Sequence, residues 1–172
     1  MLGIGEKIPT FKLNGVLDAK IREFSQSTFA GKWLVLFFYP KDFTFICPTE
    51  VKAFAAHLAQ FRKEGAEVAG VSADAPSVHL EWIQEIGNLG YPLLSDETNA
   101  LAKSCGVFDA AENAPCRANF IADPAGAVQY VAAYQANVGR SVEETLRVLA
   151  ALKTGKMCPV DWKPGQETLT AR

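Results

Sequence analysis

The longest strictly apolar run is Trp33 to Tyr39, seven residues opened by Lys32 and closed by Pro40. A run without polar alternation predicts a strand buried on both faces, at the centre of a sheet, and Pro40 ends it. The period then changes. Across 49–64, Val51, Phe54, Leu58 and Phe61 recur every three or four positions, one apolar face of a helix that Gly65 stops. Glu67 to Ser72 reads as a second strand and Ser77 to Ile86 as a second helix. Leu93-Leu94 then precedes Ser95-Asp96 and a short helix over 98–105, ended by Gly106. Upstream, Phe11 to Leu13 and Ile21 to Phe24 alternate briefly, as a short strand or loop entry would.

The last third is more explicit. Arg117 to Asp123 and Ala127 to Tyr134 are two strands joined through Pro124-Ala125-Gly126, a hairpin by its turn chemistry. Ser141 and Glu144 form the N-cap and N3 of a capping box, opening a helix that Gly155 closes. Val142, Leu146, Leu149 and Leu152 line its buried side. Strands alternating with helices, then a hairpin and a helix, describe an α/β sandwich around a mixed sheet.

Length and composition narrow this picture without changing it. At 172 residues, 49% apolar, the chain suits a single domain with a full core, and its scattered aromatics exclude disorder. Seventeen basic residues against 19 acidic leave a net charge of −2, which favours neither nucleic acid nor an anionic membrane. No apolar run is long enough to span a bilayer. The first residues have neither a basic n-region nor an apolar h-region, so no signal peptide is expected and the default compartment is the cytoplasm.

Four cysteines remain: Cys47, Cys105, Cys116 and Cys158. None is paired as Cys-x-x-Cys, and the only histidines are His57 and His79, so a metal site is not expected. In a reducing compartment the thiols are either core filler or redox-active. Position singles out Cys47. It lies where the buried strand and a loop feed the first turn of the first helix, followed by Pro48. Unpaired backbone N–H groups and the positive end of the helix dipole favour an anion there, and the thiolate is the nucleophilic form of cysteine. A nearby cation would strengthen the effect, though spacing does not identify it.

The stretch Pro40-x-x-x-Thr44-x-x-Cys47, extended as Phe43-Thr44-Phe45-Ile46-Cys47-Pro48-Thr49-Glu50, resembles the active-site signature of typical two-cysteine peroxiredoxins of the alkyl hydroperoxide reductase C-type group. The resemblance runs along the chain through Asp74 with His79 and Trp82, then Tyr91 to Asp96 and Arg117 ahead of Asp123-Pro124. It continues in Gly139-Arg140-Ser141 and in Cys158-Pro159-x-x-Trp162. It implies a thioredoxin-like fold, with peroxiredoxin-type additions at the N-terminus and before the hairpin, in a single domain over 1–172. Residues 156–172 would form a C-terminal segment carrying the resolving cysteine.

The implied activity is a thiol-dependent peroxidase, serving antioxidant defence, that needs no cofactor. Cys47 would attack the O–O bond of hydrogen peroxide or an alkyl hydroperoxide and become a sulfenic acid. Thr44 and Arg117 match residues that hold the peroxide in line, and Pro40 the one that shields the thiolate from water. Glu50 and Arg140 match positions that orient Arg117 and the helix start. Cys158 matches the resolving cysteine, which in this family comes from the other subunit of a homodimer and forms an intersubunit disulfide. A thioredoxin-like protein or a flavoprotein disulfide reductase restores both thiols, and the family often assembles as a ring of five dimers.

The remaining candidates read more plainly. Cys105 and Cys116 match no functional position and are expected to be passive thiols. His57 falls off the apolar stripe and should be solvated, while His79 and Trp82 read as packing at the rim of the site. Two other classes compete: a chaperone-like ring, and a cysteine hydrolase in which His57 or His79 would serve Cys47 as a base.

Overall fold

The structure, a computed structural model, describes residues 1–170. Nine strands and five α-helices follow one another in an order that alternates in the middle of the chain. They are β1 (Lys12–Leu17), β2 (Lys20–Ser25), β3 (Trp33–Phe38), α1 (Cys47–Ala56), α2 (Leu58–Lys63), β4 (Ala66–Ser72), α3 (Pro76–Ile86) and β5 (Leu93–Ser95). Then come α4 (Ala100–Ser104), β6 (Phe108–Asp109), β7 (Ala114–Pro115), β8 (Arg117–Ala122), β9 (Val128–Tyr134) and α5 (Val142–Thr154). Seven strands form one mixed sheet in the order β2-β1-β5-β4-β3-β8-β9, and β6 pairs with β7 separately.

The apolar run lies where its pattern places it. β3 is central, parallel to β4 and antiparallel to β8. Its side chains alternate between two cores. Val35, Phe37 and Tyr39 pack with residues of α1, α2, α3 and α5, whereas Leu34, Leu36 and Phe38 pack with Phe24, Phe29, α4 and Phe120. Within the first core the Phe37 ring stacks on Phe54 of α1 at 4.2 Å and lies over Gly70, where a Cβ would come within 2.8 Å of it. That close approach anchors α1 to the sheet.

Three details depart from the sequence pattern. The continuous helix expected over 49–64 is two helices, because the chain breaks at His57, whose Nδ1 lies 2.8 Å from the Ala53 carbonyl oxygen. That contact also leaves His57 half-buried rather than solvated. The N-terminal fragments are a regular hairpin, turning at Asp18 and Ala19 with φ of 51° and 56°. Two positive φ values fit the turn a two-residue hairpin requires, but Asp-Ala lacks the glycine that usually signals it. At α5, Ser141 does cap Glu144 N, at 3.1 Å, but the Glu144 carboxylate turns to Arg147 instead of completing the box.

Candidate active site

The site is assembled from the C-terminal end of β3, the start of α1, the start of β8 and the turn before α5. Cys47 is the first residue of α1 and fully buried. Ile46 precedes it without a side-chain cap, and Pro48 follows within the first turn. This end of the helix therefore turns the positive end of its dipole toward the thiol.

The cation that spacing could not identify is Arg117. Seventy residues away in sequence, at the first position of β8, it donates from Nη1 to Cys47 Sγ at 3.3 Å. The same Nη1 donates to Glu50 Oε2 at 2.7 Å, and Nε donates to the Ala136 carbonyl at 2.9 Å. Burial works against the Arg117 charge, but the hydrogen bond to Cys47 and the proximity of Cys47 and Glu50 raise its pKa on balance, so it is a guanidinium cation.

Glu50, one turn into α1 and buried, is shared between two arginines. Arg140 donates to Glu50 Oε1 from its backbone N at 2.9 Å and from Nε at 3.0 Å. Its other nitrogens donate to the Ala118 carbonyl at 2.9 Å and the Phe38 carbonyl at 2.6 Å. Arg140 thus ties β3, β8 and α1 together behind the thiol. Two guanidinium groups around one carboxylate leave one positive charge without a partner in a dry place, and a Cys47 thiolate would balance it.

Thr44 and Pro40 lie on the loop between β3 and α1, both half-buried. The Thr44 hydroxyl donates to the Lys41 carbonyl at 3.1 Å. In the same loop Phe43 holds a φ of 52°, an uncommon conformation for a bulky side chain, with its ring 6.3 Å from that of Trp82. Sequence reasoning put His79 at the rim of the site but did not find its partner under this loop. Asp42 accepts from the Tyr39 hydroxyl at 2.9 Å, and its Oδ2 lies 2.7 Å from His79 Nδ1; all three side chains are buried. The motif contained Asp42, but only the tertiary structure supplies its partners.

Cys158 is elsewhere. It lies half-buried against the last turn of α5, 3.5 Å from Thr154 Oγ1 and 3.8 Å from the Ala151 carbonyl oxygen. The Cys47 cluster lies at the other end of α5, roughly 20 Å away along the helix at 1.5 Å per residue. A disulfide needs Cα atoms within about 7 Å, so the two thiols of one chain are not poised to join. A groove of ≈ 580 Å³ opens beside Cys158, lined by Arg147, Ala151, Pro159 and Val160 among others.

Cys105 is buried in the second core, its thiol pushed up to about 12 by burial and then by Asp96. Burial and Asp109 also raise the half-buried Cys116. Neither histidine reaches Cys47, since His57 is bonded to Ala53 and His79 to Asp42, so the acid–base pair of a cysteine hydrolase is not formed. Among the described residues no group of three His, Cys, Asp or Glu side chains could hold a metal ion, and no helix is long and apolar enough to cross a membrane.

A buried thiol at a helix start, bonded to an arginine on a mixed sheet flanked by helices, is the arrangement of a thiol-based oxidoreductase. Comparison with known proteins narrows the class. Residues 4–131 match the family model described as AhpC/TSA family. Peroxiredoxin-2 of Mus musculus is 42% identical over 176 residues, covering 96% of this chain and 89% of that one. The reduced 2-Cys peroxiredoxin of Plasmodium vivax superposes with a TM-score of 0.92 at 34% identity, over 96% of this chain and 91% of that one. Mycobacterium tuberculosis AhpC superposes at 0.86 with 36% identity, over 95% and 99% of the two chains. The chain belongs to the AhpC/TSA family and is a peroxiredoxin, a thiol-dependent peroxidase with a thioredoxin-like fold.

Proposed function

We propose that Cys47 is the peroxidatic cysteine and Cys158 the resolving one. The observation that carries this is the buried Cys47 Sγ at the start of α1, 3.3 Å from an Arg117 that Glu50 holds in place. The thiolate attacks one oxygen of a hydroperoxide, the O–O bond breaks, and the other oxygen leaves as an alcohol or water after protonation. Sulfur is oxidised to sulfenic acid and the peroxide is reduced. Charge moves from sulfur to the leaving oxygen, and fixed donors around that oxygen stabilise the transition state more than the ground state. Arg117 supplies them, with Thr44 aligning the peroxide, Pro40 screening the sulfur, and Glu50 and Arg140 positioning Arg117.

The sulfenic acid then condenses with Cys158 of a second copy of the chain, forming an S–S bond and releasing water. The separation of the two thiols within one chain supports this intersubunit route. A dithiol reductant, thioredoxin-like or a flavoprotein, reduces the disulfide. The working unit is then a homodimer, with a ring of five dimers as a higher assembly, in the cytoplasm. Residues 1–172 act as one domain whose segment 156–172 delivers the resolving thiol.

The test is peroxide consumption with a disulfide reductant. Cys47→Ser should fold and lose turnover, because a serine hydroxyl stays protonated at neutral pH and attacks peroxide oxygen poorly. Undiminished turnover in that variant would overturn the assignment.

A further inference from the structure

Resolution, as read above, poses a steric problem at Cys47. The sulfur is fully buried, so a thiol from another chain cannot reach its sulfenic acid until the loop from β3 to α1 moves away. What holds that loop closed therefore governs the second half of the cycle.

The holding groups lie under the loop, and none of their hydrogen bonds goes to the sulfur. Between Pro40 and Ile46, Asp42 is the one residue that is buried, and its polar atoms are bonded. Its Oδ1 accepts from Tyr39, its Oδ2 meets His79 of α3, and its backbone N donates to Asp74 Oδ2 at 2.9 Å. Asp74 is itself fixed by the Ser72 hydroxyl at 2.7 Å, at the end of β4. The loop is thus bonded to β4 and α3, two elements that carry none of the reacting groups.

Next to Asp42, Phe43 occupies the left-handed region, a conformation that persists only where its surroundings enforce it. His79 Nε2 is also buried without a hydrogen-bond partner. One strained residue opposes the closed loop, and the bonds to Asp42 hold it shut. Burial pushes the Asp42 carboxyl up, with the His79 hydrogen bond working in the other direction, so its state depends on that partner.

We propose that Asp42, gripped by Tyr39 and His79, is a positioning residue that latches the loop closed and so sets the rate at which oxidised Cys47 becomes available to Cys158. The proposal rests on the assignment of Cys47 and Cys158 above. It predicts a gain, which damage to a merely structural residue does not. Loosening the latch should speed disulfide formation and leave less Cys47 for a second peroxide to carry to sulfinic acid.

The experiment follows both steps by stopped-flow tryptophan fluorescence, first oxidation and then disulfide formation, in the full chain with hydrogen peroxide. Tyr39→Phe removes one hydroxyl at a fully buried position and should accelerate disulfide formation at least about tenfold, the lower end of the factor expected from losing one hydrogen bond to a charged group. His79→Leu should accelerate it too, while His79→Asn, whose amide can donate where Nδ1 does, should restore the wild-type rate. Leu101→Ala, in the core across the sheet, is the control and should lower thermal stability without changing the rate.

Unchanged or slower disulfide formation in Tyr39→Phe and His79→Leu overturns the latch, as does a Leu101→Ala variant that accelerates equally. Should the wild-type protein form no intersubunit disulfide, the assignment of Cys158 has failed instead. The two failures are therefore distinct.

Discussion

Arg117→Ala is the sharpest probe of the chemistry. Arg117 is 5% exposed and makes three hydrogen bonds, to Cys47 Sγ, Glu50 and the Ala136 carbonyl. Truncation removes the one side-chain donor on the sulfur among the described residues and one of the two cations around Glu50. Glu50 keeps its bonds from Arg140, so the helix start remains tethered. A hydrogen bond from a charged donor contributes about 1.5–3 kcal/mol. At ~1.4 kcal/mol per factor of ten, the second-order rate constant for peroxide should fall roughly 10- to 150-fold. The assay is single-turnover stopped flow with excess hydrogen peroxide, which isolates this step from resolution. Arg117→Lys should fall between the two, because a point charge cannot hold sulfur, carboxylate and carbonyl together as a planar fork does. An unchanged rate constant in a folded Arg117→Ala protein would remove Arg117 from the reaction and refute the reasoning.

Other expectations follow from the same geometry. Cys158→Ser should keep one fast oxidation of Cys47 but lose the covalent dimer on a non-reducing gel; if the dimer persists, Cys105 or Cys116 is the resolving thiol. Cys105, pushed up to about 12 by burial, should resist alkylation in the native protein at mildly alkaline pH and react only on unfolding, as peptide mass spectrometry would show. Glu144 is held below the usual glutamate range by its hydrogen bond to Arg147, against a smaller opposing effect of burial. A lowered folded-state pKa means the bond contributes above the ordinary glutamate pKa and is lost as pH falls through the lowered one. Arg147 also donates to the Trp162 carbonyl at 3.0 Å, so acid should loosen the segment bearing Cys158. Limited proteolysis on descending from neutral pH should detect cleavage after residue 155 before the core is cut.

Local periodicity and turn chemistry made the central strand, the helices and the final hairpin legible, because they depend on neighbours a few positions apart. Cys47 was legible for the same reason, since a thiol at the mouth of a helix is a local arrangement. The break at His57 was not, because a ring nitrogen meeting the Ala53 carbonyl leaves no mark on the apolar stripe. Nor was the hairpin at Asp18-Ala19, whose left-handed turn is imposed by pairing rather than by glycine.

The sequence by itself determined where a nucleophile could lie and what backbone would surround it. Only the tertiary structure decided which charged groups surround it. Glu50 is 67 positions from Arg117 and 90 from Arg140, and their meeting depends on β3 lying between β4 and β8. Pair energies in a buried site fall off with distances that the register of those strands sets, and registers are fixed by packing across the sheet. The Asp42–His79 contact, 37 positions apart in sequence, has the same origin: a carboxylate and an imidazole meet because α3 packs its buried face under the loop.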